Sequence, residues 1–324
     1  MESSVTEHQP RPFRTELSNG GVSFAIAPNG PCPCASGRPT DSCCLRGGIL
    51  ETRAASTAPA GTQTRISVPG CYAAHLLDCA GVLSGEHFVS RTVLAHLNQA
   101  SARHGTPSES LEVEGFHWSA QRERIRVGLN SLASRILCER HNAALSRLDD
   151  AAGKLFRALD VVSADPPGAG RPTTGLLLLS GHDVEKWMLK VFCGIAASGN
   201  LVIAGQRHST DVPVSWSAAL FSDDPLPPDW GLYVPRQAIP RTQLVRGVAT
   251  AGMGWGGALR GFEVCFNEFT FLLLLAARPN GERRFGGIEY VYRPKELHIS
   301  GDGWEYSIAF GWQGPADKGT LHYR

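Results

Sequence analysis

Residues 71–90 read CYAAHLLDCAGVLSGEHFVS, and residues 136–149 answer them with ILCERHNAALSRLD. Cys138 and His141 stand three apart at the start of a helical pattern, the spacing of a metal-ligand pair. Cys71 and Cys79 supply the other half of a four-ligand set. Seven residues separate them, more than the usual two to four, and His75 offers an alternative to Cys71 at i, i+4 to Cys79. The set expected here is Cys71, Cys79, Cys138 and His141, holding a structural Zn²⁺. His87 lies between the halves, and an unperturbed imidazole titrates near pH 6.5, so such a side chain can take a proton at neutral pH.

Working outward, Pro31–Cys44 reads PCPCASGRPTDSCC. Cys32, Cys34, Cys43 and Cys44 form a second set of four thiols, and thiolates bind Zn²⁺ tetrahedrally at about 2.3 Å. Ser36-Gly37 permits a tight turn between the two pairs. With a metal bound, so short a segment needs no hydrophobic core to fold. It resembles the SEC-C motif, the zinc-binding tail first recognised on the SecA preprotein translocase, whose pattern is Cys-x-Cys-x-Ser-Gly followed by Cys-Cys or Cys-His. The departures are Ala35 where Gly is usual, and Arg-Pro-Thr-Asp where a Lys-rich stretch is usual. The resemblance implies zinc and a small appended binding module.

Residues 71 to 157 resemble the HNH endonuclease superfamily. Ser84, Glu86 and His87 match its Ser-x-Glu-His element. Cys138, His141 and Asn142 match its late Cys-x-x-Cys-Asn, with His in place of the second Cys. The resemblance implies a ββα-metal hairpin in which His87 is the general base that activates water against a phosphodiester. It implies Asn142 as ligand of a catalytic Mg²⁺ or Mn²⁺, an ion that neutralises charge on the transferring phosphate. Glu86 points away from His87 on a strand and reads as a supporting residue. The family's middle Asn lies a few residues before the late Cys, whereas here the nearest is Asn130. An insertion containing LEVEGFHWSAQRERIRVGL separates His87 from Asn142 and reads as an added hairpin.

The chain has 324 residues, 42% hydrophobic and 19% charged, and carries a net charge of +1. That is globular composition, with no global field to draw the protein onto nucleic acid or membrane. Nucleic-acid contact must then use a local surplus such as Arg122, Arg124, Arg126, Arg135, Arg140 and Arg147. Arg135, Arg140 and Arg147 are the expected phosphate contacts. The N-terminus has no apolar signal region, and the longest apolar run, Phe269–Ala277, is broken by Thr270 and too short for a membrane helix. A cytoplasmic protein is the default expectation, in which clustered cysteines serve metal rather than disulfides.

The organisation expected is α+β: a flexible tail (1–30), the zinc knuckle (31–44), a linker rich in Ala, Thr and Gly (45–65), an HNH-like zinc domain (66–160), a second linker (161–173), and a separate β-rich domain (174–324) with one amphipathic helix. That helix starts near an Asp183 N-cap and repeats Val184, Trp187, Met188, Val191, Phe192 and Ile195 on one face. Period-two alternation at Phe262, Val264 and Phe266, and from Trp304 to Trp312, marks half-buried strands. Residues 142–159 form a helix with an apolar face. Cys193, Cys265 and most late tryptophans read as core. The function expected is a metal-dependent HNH-like endonuclease acting on nucleic acid, DNA in preference to RNA. The alternative is a non-catalytic zinc protein that binds nucleic acid, or a protein partner through the knuckle or the C-terminal domain.

Overall fold

The computed structural model describes residues 13–15, 24–46, 49–103, 110–116, 125–163, 174–203, 206–208, 211–228, 230–236, 247–255, 258–266, 269–276, 284–285, 287–301, 304–313 and 320–323. In chain order, β1 (Phe13–Thr15) and β2 (Phe24–Ile26) pair as a ribbon, and so do β3 (Leu45–Arg46) and β4 (Ile49–Leu50). Then come β5 (Leu83–His87), α1 (Arg91–Arg103), β6 (Ser110–Glu114), β7 (Ile125–Gly128), β8 (Ala133–Cys138), α2 (Glu139–Ala144) and α3 (Ser146–Ser163). The C-terminal half opens with β9 (Thr174–Ser180), α4 (Gly181–Ala197), β10 (Leu201–Ile203), β11 (Gln206–His208) and α5 (Val214–Leu220). It continues with β12 (Trp230–Pro235), β13 (Gly247–Trp255), β14 (Ala258–Phe266), β15 (Phe269–Leu275), β16 (Arg284–Phe285), β17 (Ile288–Tyr292), β18 (Glu296–Gly301), β19 (Trp304–Gly311) and β20 (Thr320–Tyr323).

The fold is mixed α+β and mostly strand. An eight-stranded sheet runs β16-β17-β12-β15-β14-β13-β6-β7, and a four-stranded sheet runs β20-β18-β19-β9. α4 packs against strands of both. The insertion between His87 and Asn142 is indeed a hairpin, with β6 antiparallel to β7. It does not stand alone, because β6 pairs in parallel with β13 and so extends the large sheet.

Buried contacts cross the boundary expected between 66–160 and 174–324: one continuous core runs from Cys71 to Leu321, with α3 packed on α4. Two further details differ from expectation. The segment 45–65 is not a loose linker. Ala55 N donates to Asp183, the buried Thr57 donates through Oγ1 to Ser222 O at 2.8 Å, and Thr64 N donates to Asp78. The segment is a strap tied to both halves. Finally, α4 is not amphipathic in its setting. Ser180, not Asp183, is the N-cap, its hydroxyl accepting from Asp183 N, and every residue from Gly181 to Ala196 is buried.

Those buried positions include His182, Asp183, Glu185, Lys186 and Lys190, and each is partnered. Arg293 grips both oxygens of Glu185 at 2.7 and 3.0 Å, and Leu232 N donates to Glu185 at 2.8 Å. Lys186 donates to Ser222 O and to Thr57. A buried charge persists only when paired and hydrogen-bonded, so the polar stripe of α4 is held by the sheets and the strap.

The helix expected over 142–159 is broken at Leu145 into α2 and α3, and its apolar face (Leu145, Leu148, Ala152, Leu155, Phe156, Leu159) is buried. Cys193 and Cys265 are core residues. Arg122, Arg124 and 164–173 of the second linker lie outside the described residues, as does most of the tail. No helix among the described residues is long and apolar enough to cross a membrane.

Candidate functional site

Among the described residues, two groups of side chains could hold a metal ion: Cys32, Cys34, Cys43 and Cys44, and Cys71, Cys79, Cys138 and His141. Within each group the ligand atoms all lie within 4.8 Å of one another. A tetrahedral ion with metal–sulfur bonds of about 2.3 Å and metal–nitrogen bonds of about 2.0–2.1 Å sets S···N near about 3.6 Å and S···S near about 3.8 Å. His141 Nδ1 lies 3.7 Å from Cys71 Sγ, 3.7 Å from Cys79 Sγ and 3.2 Å from Cys138 Sγ. Cys43 Sγ lies 3.5 Å from Cys34 Sγ and 3.8 Å from Cys44 Sγ. Both sets therefore have the spacing of a closed four-ligand centre, consistent with zinc.

The second group closes with Cys71. His75 instead meets Ser217 Oγ at 3.1 Å through Nε2. All four ligands are buried, and the His141 ring packs against Phe221 of the C-terminal half at 4.7 Å between centroids. Burial pushes the Cys71 thiol up to about 12 and holds the His141 imidazole below its usual range. A cation at the centre offsets that cost by stabilising thiolate, which is how metal binding becomes folding free energy.

The first group docks against the sheet rather than hanging from the chain. Leu178 N donates to Pro33 O at 3.0 Å, and Lys154 Nζ donates to Cys34 O at 2.9 Å. Cys32 and Cys44 pack on Leu178 and Ala309. Ser36 Oγ lies 3.2 Å from Cys43 Sγ and the Arg38 guanidinium 3.3 Å away. The Ser36 hydroxyl is the main cause that draws this thiol down to about 6.

β5 and β8 pair antiparallel, with Leu83 opposite Cys138 and His87 opposite Ala133. β8 leads directly into α2, which packs back on both strands. The metal-ligand end and the His87 end of this ladder are thus four residues apart, roughly 13 Å at about 3.3 Å per residue. His87 is half-buried. Its ring hydrogen-bonds the Asn130 side chain, and its Nε2 is buried with no hydrogen-bond partner among the described residues. Burial first, then the Arg91 charge, lower its pKa from the usual value of 6.5, so the ring is neutral at pH 7. Asn130, upstream of the expected place for a middle Asn, reaches His87 because the turn Leu129–Leu132 leads into the start of β8.

Glu86 turns to the other side, is buried, and pairs with Lys190 at 2.6 Å. Asn142 is on α2, half-buried, beside the ligand His141. Arg140 is not available as expected: it donates to Ala60 O at 2.7 Å, to Thr62 O at 3.2 Å and to Asp78 at 3.0 Å. It is a brace for the strap. Arg135 and Arg147 are exposed. Arg147 lines a groove of about 410 Å³ with Arg140, Ser56, Ala58, Ala144 and Ser146. Sequence reasoning missed the chain of contacts that runs from Glu86 to Lys190, on to Asp149 and Ser90, and ends at the indole of Trp187. Lys190 lies outside the apolar face of α4 and reads as a solvated position, so no local signal marks it.

Comparison of the chain with protein-family models, curated proteins and solved structures finds no match.

Proposed function

We propose that the chain is a metal-dependent, HNH-like endonuclease that hydrolyses phosphodiester bonds of nucleic acid, DNA in preference to RNA. In this reading β5, β8 and α2 form a ββα-metal unit stapled by a structural zinc at Cys71, Cys79, Cys138 and His141. A second zinc fills the SEC-C-like knuckle. The observation that carries the reading is His87: a neutral imidazole bonded to Asn130, with its Nε2 unpartnered. A neutral ring nitrogen with no partner has its lone pair open to a proton, as a general base needs once water reaches it, and an amide on the ring fixes its orientation. The Asn142 amide oxygen would hold a Mg²⁺ or Mn²⁺ ion, whose chemistry is to neutralise charge on the phosphate. His87 accepts the proton of the attacking water, and Arg147 contacts the backbone of the nucleic acid.

The test is incubation with supercoiled plasmid, single-stranded DNA and RNA in Mg²⁺ or Mn²⁺, beside a His87→Ala variant checked for fold and zinc content. Metal-dependent cleavage lost in the variant is expected. No cleavage of any substrate by fully zinc-loaded protein would sink the reading.

A second reading, a non-catalytic zinc protein that binds nucleic acid or a protein partner, draws on one observation. At about 100° per residue, Arg140, Ala143 and Ala144 share one face of α2, and Asn142 lies on another. The groove along that first face would not present a phosphate to Asn142. Arg147→Ala separates the two. If it weakens oligonucleotide binding about fivefold to tenfold while no cleavage is seen in the parent, the binding reading stands.

A further inference from the structure

Lys190 sits on α4, in the C-terminal half, and is 1% exposed. Its Nζ lies 2.6 Å from Glu86 Oε1 and 2.6 and 2.7 Å from the two oxygens of Asp149. Ser90 Oγ donates to Asp149 and in turn accepts from Trp187 Nε1 at 2.6 Å. Glu86 is 5% exposed, and only Asp149 is partly open to solvent. Three carboxylate oxygens from two separate elements thus converge on one positively charged atom. Converging carboxylate oxygens around a small centre are the donor set of a hard divalent cation. Here an ammonium fills it.

We propose that Lys190 is the resident cation of the junction of β5, α3 and α4, occupying between Glu86 and Asp149 the place that a divalent ion would otherwise take. The physical need is clear from the charges. Two carboxylates brought to one point repel each other, and a buried one left without a counter-charge is costly. One ammonium cancels one of the two negative charges and ties β5, α3 and α4 together at that point. Delivered from α4, it also makes the zinc-bearing unit incomplete without the C-terminal half. Lys190 is a positioning residue: it touches Glu86, and Glu86 precedes His87 in β5. A catalytic divalent ion at Asn142 remains compatible with it, because Lys190 already pairs with Glu86 and Asp149.

The experiment is Mn²⁺ binding to zinc-loaded full-length protein, followed by electron paramagnetic resonance of free Mn²⁺ and by calorimetry. Asp149→Asn is expected to leave the Mn²⁺ stoichiometry of the native protein unchanged. Lys190→Met is expected to gain one equivalent of Mn²⁺, bound at least tenfold tighter than any such binding to the native protein, and Glu86→Gln in the same background removes it. If Lys190→Met unfolds, Mn²⁺ is expected to restore its thermal transition, and to fail to do so when Glu86→Gln is added. Loss of a bound Mn²⁺ in Asp149→Asn alone overturns the proposal. So does a folded Lys190→Met that gains no ion, or an unfolded one that Mn²⁺ does not rescue. None of these readouts uses cleavage, so failure of the nuclease reading leaves the test intact.

Discussion

Ala35 takes a φ of 54° in the turn between the two cysteine pairs, and Gly37 takes 76°. Left-handed backbone costs a residue with a Cβ about 1 kcal/mol, and glycine nothing. The glycine usual at this place in the motif it resembles therefore has a conformational reason. Ala35→Gly is expected to raise the stability of the zinc-loaded protein by up to about 1 kcal/mol, read as a higher midpoint in thermal unfolding. A lower midpoint would show that the turn is not strained. At His87 the charge is the issue. Its depressed pKa means the neutral base survives as pH falls below about 6.5, so the acid limb of any nuclease pH–rate profile lies below that value. Arg91 lowers and Asn130 raises the pKa. Hence Arg91→Ala moves the limb to higher pH and Asn130→Ala to lower pH, with a slower plateau. The linkage has the same sign: His87 contributes stability above its unfolded pKa, and that contribution is lost as pH falls through the folded value.

Among elements, α4 shows where sequence and structure part. Gly194 faces Phe88, the residue after His87, and a Cβ there would sit 2.4 Å from Phe88 Cβ and 3.2 Å from its Cα. Helix propensity alone would favour Gly194→Ala by about 1 kcal/mol. Overpacking against a neighbour's backbone costs about 1–3 kcal/mol. A net loss of up to about 2 kcal/mol is expected in denaturant unfolding, and a gain would mean that α4 and Phe88 are not in contact there. The strap makes a similar case. Thr57 receives Lys186 and donates to Ser222 O, so Thr57→Ala leaves a buried ammonium short of a partner and is expected to cost about 1–3 kcal/mol. The metal ligands were legible because their spacing is local: Cys32 to Cys44 and Cys138 to His141 are short-range geometry. The strands at Phe262–Phe266 and Trp304–Phe310 were legible through alternation. The burial of α4 was not, because Asp183, Lys186 and Lys190 look like a solvated face until both sheets and the strap close over them. Nor was the pairing of β6 with β13, a contact between residues more than a hundred apart.

At the scale of the molecule the question is whether the zinc-bearing part and the C-terminal part melt together. The linker read at 161–173 suggested a boundary, yet the buried contacts cross it: Phe221 on His141, Trp187 on Phe156, Lys190 on Glu86 and Asp149, Leu178 on Pro33. Arg293 is 1% exposed and holds Glu185 far from either metal centre in the chain. Removing one partner of a buried ion pair costs about 3–5 kcal/mol. Cys79→Ser opens the other end of the core by removing a ligand from the second centre. If one core unites the two parts, Arg293→Met and Cys79→Ser each shift a single unfolding transition of the zinc-loaded protein, and chelation shifts that same transition. Calorimetry and far-ultraviolet circular dichroism then report coincident midpoints. Two transitions, one moved only by Cys79→Ser and chelator and the other only by Arg293→Met, would restore the two-domain organisation read from the sequence and would leave Lys190 a surface contact between independent units.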